Sequence, residues 1–196
     1  VSDLRREFGR KAFHMLALGY LVWYRLLGWP RTGYVMAAWL VVCVAVETVR
    51  LSVPAVERAL VGFFEGMIRD TERRHFSGIV HTTAGSLAAM VIARGDARIV
   101  GAAIGQLALA DAAAALVGKA FGRTKILGGH KSFEGSLAAL SVAYTVALFC
   151  GVGAGPALAS ALVATVVELL PTTGFFNDNL WLPTSSALTL AFLLRR

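Results

Sequence analysis

The densest chemistry in the chain lies between Asp111 and Ser136. Asp111 is a carboxylate inside an apolar run, where an ionisable side chain is costly and usually functional. A span ending near Gly118 would leave Asp111 about 10 Å from that end, at 1.5 Å per residue. Asp111, Ala115 and Gly118 then share one small-residue face that a headgroup or nucleotide can approach. The functional reading of Asp111 is a Mg²⁺ ligand. The competing reading is an acid paired with an Arg or His of a neighbouring span.

Beyond it, Gly118, Gly122, Gly128 and Gly129 alternate with Lys119, Arg123, Lys125 and Lys131. Glycines let a backbone wrap around phosphate while cations neutralise it. The spacing is not that of a P-loop, since no G-x-x-x-x-G-K-[ST] occurs. An ordinary cationic loop beside a membrane is the alternative. Lys131-Ser132-Phe133-Glu134-Gly135 argues against it by setting a cation, a hydroxyl and an acid where a helix begins. Ser132, with Gly135 and Ser136, is placed to cap that helix and aim its N–H groups at an anion.

Other groups are spread along the chain. Arg10, Lys11 and His14 fall on one helical face and would reach a phosphate or serve as a topology signal. Glu47 and Arg50 are spaced for a mutual ion pair. Glu72, Arg73 and Arg74 read as a solvated turn. Glu168 stands about one turn inside an apolar run, and Asp178-Asn179 opens the last one. Asp111, Glu168 and Asp178 together supply what phosphoryl transfer needs: metal ligands, here Asp111 and Asp178, and a group to orient a hydroxyl nucleophile.

The elements that must position these groups are apolar helices. The chain is 57% hydrophobic and 16% charged, with mean hydropathy +0.66. That excludes an ordinary water-surrounded core, because soluble domains average about a quarter charged. The net charge of +7 would suggest nucleic acid in a soluble protein. Here the cations sit between apolar runs, so membrane topology explains them and no nucleic-acid partner is expected. Cys43 and Cys150 lie in apolar runs without metal-ligand spacing and read as packing residues. The basic start leads into the first apolar run without a cleavage-site pattern.

The expected class is an all-α, polytopic membrane protein forming one domain, with about seven spans. They cover residues 12–27, 33–49, 78–93, 99–117, 136–152, 157–170 and 182–194. An interfacial amphipathic helix begins near Pro54, with Val56, Leu60, Phe63, Phe64 and Met67 on one face and Arg58, Glu65 and Arg69 on the other. Thirteen of the nineteen Lys/Arg then fall on one side. The positive-inside bias puts the amino terminus and the candidate groups in the cytoplasm.

The run Leu109-Ala110-Asp111-Ala-Ala-Ala-Ala-Leu-Val-Gly118-Lys-Ala-Phe-Gly122-Arg, followed by Lys131-Ser-Phe-Glu134-Gly-Ser136, resembles the CTP-dependent lipid kinases: the phytol, dolichol and yeast-type diacylglycerol kinases. Arg10-Lys11-x-x-His14, Glu47-x-x-Arg50, Glu72 before Gly78, and Glu168…Asp178-Asn179-x-x-x-Pro183 look similar too. One departure is Ala110, where kinase members commonly carry Gly. The related CDP-diacylglycerol synthases share the central blocks but close with a segment this chain lacks.

The resemblance implies CTP as phosphoryl donor, Mg²⁺ as cofactor, and a lipid alcohol in the bilayer as acceptor, most simply an isoprenoid alcohol. Asp111, Glu168 and Asp178 are the expected catalytic acids. Arg10, Lys11, Gly118, Lys119, Gly122, Arg123, Lys125, Lys131, Ser132, Glu134, Gly135 and Asn179 are the expected nucleotide-binding set. A cytidylyltransferase, a diacylglycerol kinase and a membrane transporter are the alternatives.

Overall fold

The computed structural model describes residue 11 and residues 15–63, 75–129, 131–170 and 176–195. Among them the chain is almost entirely helical. A 3₁₀ turn, Met15–Ala17, leads into α1 (Leu18–Leu27). There follow α2 (Arg31–Ser52), α3 (Pro54–Phe63) and α4 (Gly78–Ala93). Helix α5 (Ala97–Gly105) passes through a π-helical segment, Gln106–Ala110, into α6 (Asp111–Phe121). Two short antiparallel strands, β1 (Lys125–Ile126) and β2 (Lys131–Ser132), precede α7 (Phe133–Phe149). Helices α8 (Ala154–Leu169) and α9 (Asp178–Leu194) complete the bundle.

Local sequence explains the boundaries. Asp96 caps α5 by accepting from the Arg98 N–H, and Ser132 caps α7 by accepting from Gly135. Asn177 caps α9 by accepting from Asn179. Helix α4 ends at Arg94 and Gly95, both at positive φ, the left-handed exit common at helix C-termini. The expected span at 78–93 coincides with α4. The fourth runs further than expected, because α6 continues to Phe121. Gly118 and Lys119 therefore lie on its last turn, not on a loop. The expected loop up to Ser132 also contains the β1–β2 pair.

Packing is built from small residues. Helix α9 lies between α4 and α8, while α7 contacts both α6 and α8. Alanines recur among the buried residues at these contacts: Ala89 and Ala93 of α4, Ala139, Ala143 and Ala147 of α7, Ala157, Ala161 and Ala164 of α8, and Ala187 and Ala191 of α9. Fully buried polar residues join them, among them Thr83, Ser86, Gln106, Ser160 and Ser186. Large apolar side chains are divided between the two environments. Met36, Met90, Ile99, Ile104, Leu107, Leu182 and Leu190 are fully buried, whereas Val41, Val42 and Val46 of α2, Leu158, Leu162 and Val166 of α8, and Leu188 and Phe192 of α9 are exposed. Burial of Leu and Val drives the folding of a water-soluble domain, and the many large apolar side chains left outside depart from that pattern.

Among the described residues, two helices are long and apolar enough to cross a membrane by length and composition: Arg31–Ser52 and the continuous Ala97–Phe121. Met15–Leu27, Gly78–Ala93, Phe133–Phe149 and Ala154–Leu169 are apolar but shorter. The amphipathic helix expected from Pro54 is seen as α3. Its continuation through Glu65, Met67 and Arg69 lies outside the described residues.

Candidate functional site

Asp111 begins α6 directly after the π-helical segment and is 6% exposed. Its carboxylate accepts from Lys11 Nζ, and both side chains of this ion pair are buried. The pair joins positions 100 residues apart. Lys11 is thus one cationic partner of Asp111, as the competing expectation of a paired acid requires. Lys11, expected at a phosphate, is engaged with this acid. Arg10 and His14 lie outside the described residues.

A second ammonium–carboxylate pair lies at the end of α8. Lys131 Nζ donates to the Glu168 side chain and also, at 2.8 Å, to the Glu168 backbone carbonyl. The cation thus satisfies an unpaired carbonyl at a helix C-terminus, where positive charge is favoured. Glu168 is buried, while the Lys131 side chain keeps 32% of its surface exposed. Lys131 was expected to clamp phosphate and Glu168 to act on a hydroxyl. Here they neutralise each other.

The third acid, Asp178, is 8% exposed in the first turn of α9. Its carboxylate accepts from the Asn179 N–H at 3.0 Å, alongside Asn177. Sequence reasoning chose Asn179 and passed over Asn177, the buried cap. The signal was available, since Asn immediately before a helical run is a start mark. One apolar cluster carries Ala110, Val167 and Leu182. These residues adjoin Asp111 and Glu168 and follow Asp178 by one turn, so one core patch supports all three acids.

The predicted anion loop divides into packing and exposed parts. Gly118, Gly122 and Gly135 gather around Ser132, where α6 crosses the start of α7. A Cβ on Gly135 would lie 2.7 Å from the Ala114 carbonyl, and one on Gly122 would lie 2.1 Å from that of Gly118. These glycines therefore have a packing role, Gly135 against α6 and Gly122 against its own helix and Ser132. The expected capping is present, with Ser132 Oγ accepting from the Gly135 N–H at 3.2 Å. Lys119, Arg123 and Lys125 are exposed along the rim. Glu134 accepts from the Thr124 N–H at 3.0 Å. Its own backbone N–H and that of Thr124 hold its carboxyl below the usual glutamate range. Glu134 therefore tethers the loop to the helix.

Glu47 and Arg50 form a different kind of site. The Arg50 guanidinium donates to both carboxylate oxygens of Glu47, at 3.0 and 2.9 Å. Arg50 also donates to the His75 carbonyl, and Glu47 accepts from the Ser77 N–H. This fastens the end of α2 to the entry of α4, as the expected mutual ion pair. Glu72, Arg73, Arg74 and His130 lie outside the described residues.

Mg²⁺ is ordinarily held by one or two carboxylates, with water and phosphate oxygens filling its octahedron. Asp111 fits that pattern as a single protein ligand: a buried anion whose partner is a flexible ammonium. Among the described residues, no group of three or more His, Cys, Asp or Glu is arranged to hold a metal. The three expected acids do not form a metal cage by themselves.

No protein-family model, curated protein or solved structure matches this chain.

Proposed function

We propose that this chain is an integral membrane lipid kinase that transfers the γ-phosphate of CTP to the hydroxyl of a lipid alcohol, most simply an isoprenoid alcohol. The observation that carries the reading is the buried Asp111–Lys11 pair, backed by Lys131–Glu168. Both are embedded in a bundle with many small and polar residues inside and many large apolar ones exposed. That distribution suits lipid as the surrounding solvent, where close packing through small residues replaces hydrophobic burial. Acids and lysines kept inside such a bundle carry an energetic cost that function explains.

The chemistry follows from the residue types. Lys11 and Lys131 can turn from carboxylate to phosphate oxygens, since an ammonium on a four-carbon stem is a mobile point charge. Lys119, Arg123 and Lys125 on the rim would draw in an anionic nucleotide. Asp111 would hold Mg²⁺, with Asp178 as the candidate second ligand; the metal would neutralise charge developing on the transferred phosphoryl group. Glu168 or Asp178 would orient the acceptor hydroxyl. The choice of CTP rests on the resemblance of the central blocks. The amino terminus and the site face the cytoplasm in this reading, where the Lys/Arg excess lies.

The test supplies purified protein with γ-labelled and α-labelled CTP and with phytol, polyprenol and diacylglycerol. Label from the γ position in a lipid monophosphate supports the kinase. Label from the α position in a CDP-lipid replaces it with a cytidylyltransferase. No transfer to any acceptor, with ATP also tried, removes both.

A further inference from the structure

We infer that the β1–β2 hairpin is a membrane-surface anchor. It sets Leu127, with Phe121 and Phe133 at its base, into the boundary between headgroups and acyl chains, while Arg123 and Lys125 contact the phosphates of anionic lipids. The inference rests on the membrane part of the reading above and is independent of the phosphoryl donor. Depth comes first. Phe133, Leu137, Ser141, Thr145 and Leu148 follow one another at helical spacing along α7, and all are exposed. The two hydroxyls on this stripe turn back on their own helix. Ser141 Oγ donates to the Leu137 carbonyl and Thr145 Oγ1 to the Ser141 carbonyl, each at 2.8 Å. A polar group facing hydrocarbon must find its partner within its own segment, so the stripe suits lipid. The 17 residues of α7 rise about 25 Å at 1.5 Å each, less than a ~30 Å hydrocarbon core. Phe133, in the first turn, therefore lies at the edge of that core, and the hairpin joined to it lies at headgroup level.

The surface of the hairpin matches that level. Phe121, Leu127 and Phe133 are 69%, 60% and 57% exposed, and Arg123 and Lys125 are exposed between them in sequence. Large apolar side chains interleaved with cations bind an anionic bilayer through both terms, apolar burial and attraction to headgroup phosphate. Leu127 stands at the tip at φ 50°, beside Gly128 at φ 71°. A bulky side chain is uncommon in that left-handed region, and the protein interior covers little of this one. The base of the hairpin is fastened to the helix that sets its depth. The Phe133 N–H donates to the Thr124 carbonyl at 2.9 Å, and the Thr124 N–H donates to Glu134. In the absence of nucleotide, the leaflet thus gives two of the rim cations a partner.

The experiment places a nitroxide at Leu127→Cys and, as a lipid-facing reference, at Leu137→Cys, in the full chain with Cys43 and Cys150 replaced by alanine. Power-saturation electron paramagnetic resonance in nanodiscs compares collisions with oxygen, which concentrates among acyl chains, and with a water-soluble nickel chelate. In phosphatidylcholine mixed with phosphatidylglycerol, the label at 127 should favour oxygen, at a shallower depth than the label at 137. Arg123→Gln with Lys125→Gln should shift the label at 127 toward the nickel chelate, and an unchanged depth overturns the headgroup contact. A label at 127 that favours the nickel chelate in the unaltered hairpin overturns the inference. So does one that neither reagent reaches, which puts a second copy or the protein's own surface over the tip. A label at 137 that also favours the nickel chelate overturns the membrane reading itself. If the labelled chains do not fold, trypsin on the unaltered protein in nanodiscs decides. Cutting after Arg123 and Lys125 should fall about tenfold when phosphatidylglycerol joins phosphatidylcholine, because each cation is drawn to the anionic surface. Equal cutting in the two lipids overturns the inference.

Discussion

The two buried ion pairs, Glu47–Arg50 and Lys11–Asp111, are alike in charge and burial and opposite in construction. Glu47 and Arg50 are three residues apart on one helix and meet through two parallel hydrogen bonds. They also bond the His75 carbonyl and the Ser77 N–H. The Lys11–Asp111 pair bridges 100 residues. Its cation is an ammonium on a flexible stem. Bidentate geometry with backbone partners makes a permanent fastening. A lysine at a carboxylate makes a contact that another cation and another anion can replace. On the proposed reading, the difference separates a group that holds the fold from one that would serve a reaction.

The comparison breaks most sharply on activity. Asp111→Asn should lower phosphoryl transfer by on the order of a thousandfold. It also leaves Lys11 buried without its partner, so its melting temperature should fall as well. Combining it with Lys11→Met should recover stability without activity, checked by thermal melting beside the transfer assay. If the double variant recovers activity too, Asp111 belongs with Glu47 as a structural acid.

Glu47→Gln should cost about 3–5 kcal/mol, the usual penalty for breaking one side of a buried pair. Here the compensating change should fail. Replacing both by methionine (Glu47→Met with Arg50→Met) still deprives the His75 carbonyl and the Ser77 N–H of their partners, so chemical denaturation should show little recovery. Full recovery would place this pair in the exchangeable class.

How much of this was legible beforehand depended on distance in sequence. Helix α4 was readable because Ser77-Gly78 and Arg94-Gly95 punctuate an apolar run at both ends. The Glu47–Arg50 pair was readable because i, i+3 spacing on a helix forces the contact. The Ser132 cap was readable for the same local reason. Lys11 with Asp111 and Lys131 with Glu168 were not, because nothing in spacing chooses among the nineteen Lys and Arg of the chain. The glycines carry two readings at once. A phosphate loop and a tight helix crossing demand the same residue, and only the crossing partners Ala114 and Ser132 distinguish them.

Gly135→Ala tests that crossing. Its methyl would meet the Ala114 carbonyl, and overpacking of this kind costs about 1–3 kcal/mol. A melting-temperature loss with unchanged nucleotide affinity assigns the glycine to packing. Unchanged stability with lost affinity would return it to the anion site.

The smallest effect is expected at the α4–α5 turn. Arg98, through its side chain and its backbone N–H, holds the Asp96 carboxyl below the ordinary aspartate range, against a partial desolvation that raises it. A depressed folded-state pKa adds stability above the unfolded value, near ~3.9. That stability is lost as pH falls through the lowered value. Asp96→Ala should therefore cost about 1 kcal/mol at neutral pH, the scale of an N-cap. The gap from wild type should close on acidification below the ordinary aspartate range, followed by melting across a pH series. A gap constant down to low pH would show that the aspartate acts through shape instead of charge.

The π-helical segment Gln106–Ala110 has a consequence for the helix that carries Asp111. A wider turn inserts one residue's worth of backbone, so the two halves of Ala97–Phe121 differ in phase by about 100°, the rotation of one residue in an α-helix. The Gln106 amide, which bonds the Ala143 carbonyl and Ser160 Oγ, stands at the seam. The helix thus behaves as a two-part key cut on different faces: one half is indexed to the bundle interior, the other turns its acid toward the amino-terminal lysine. Deleting a single alanine there would leave composition and hydropathy almost untouched while rotating Asp111 away from Lys11.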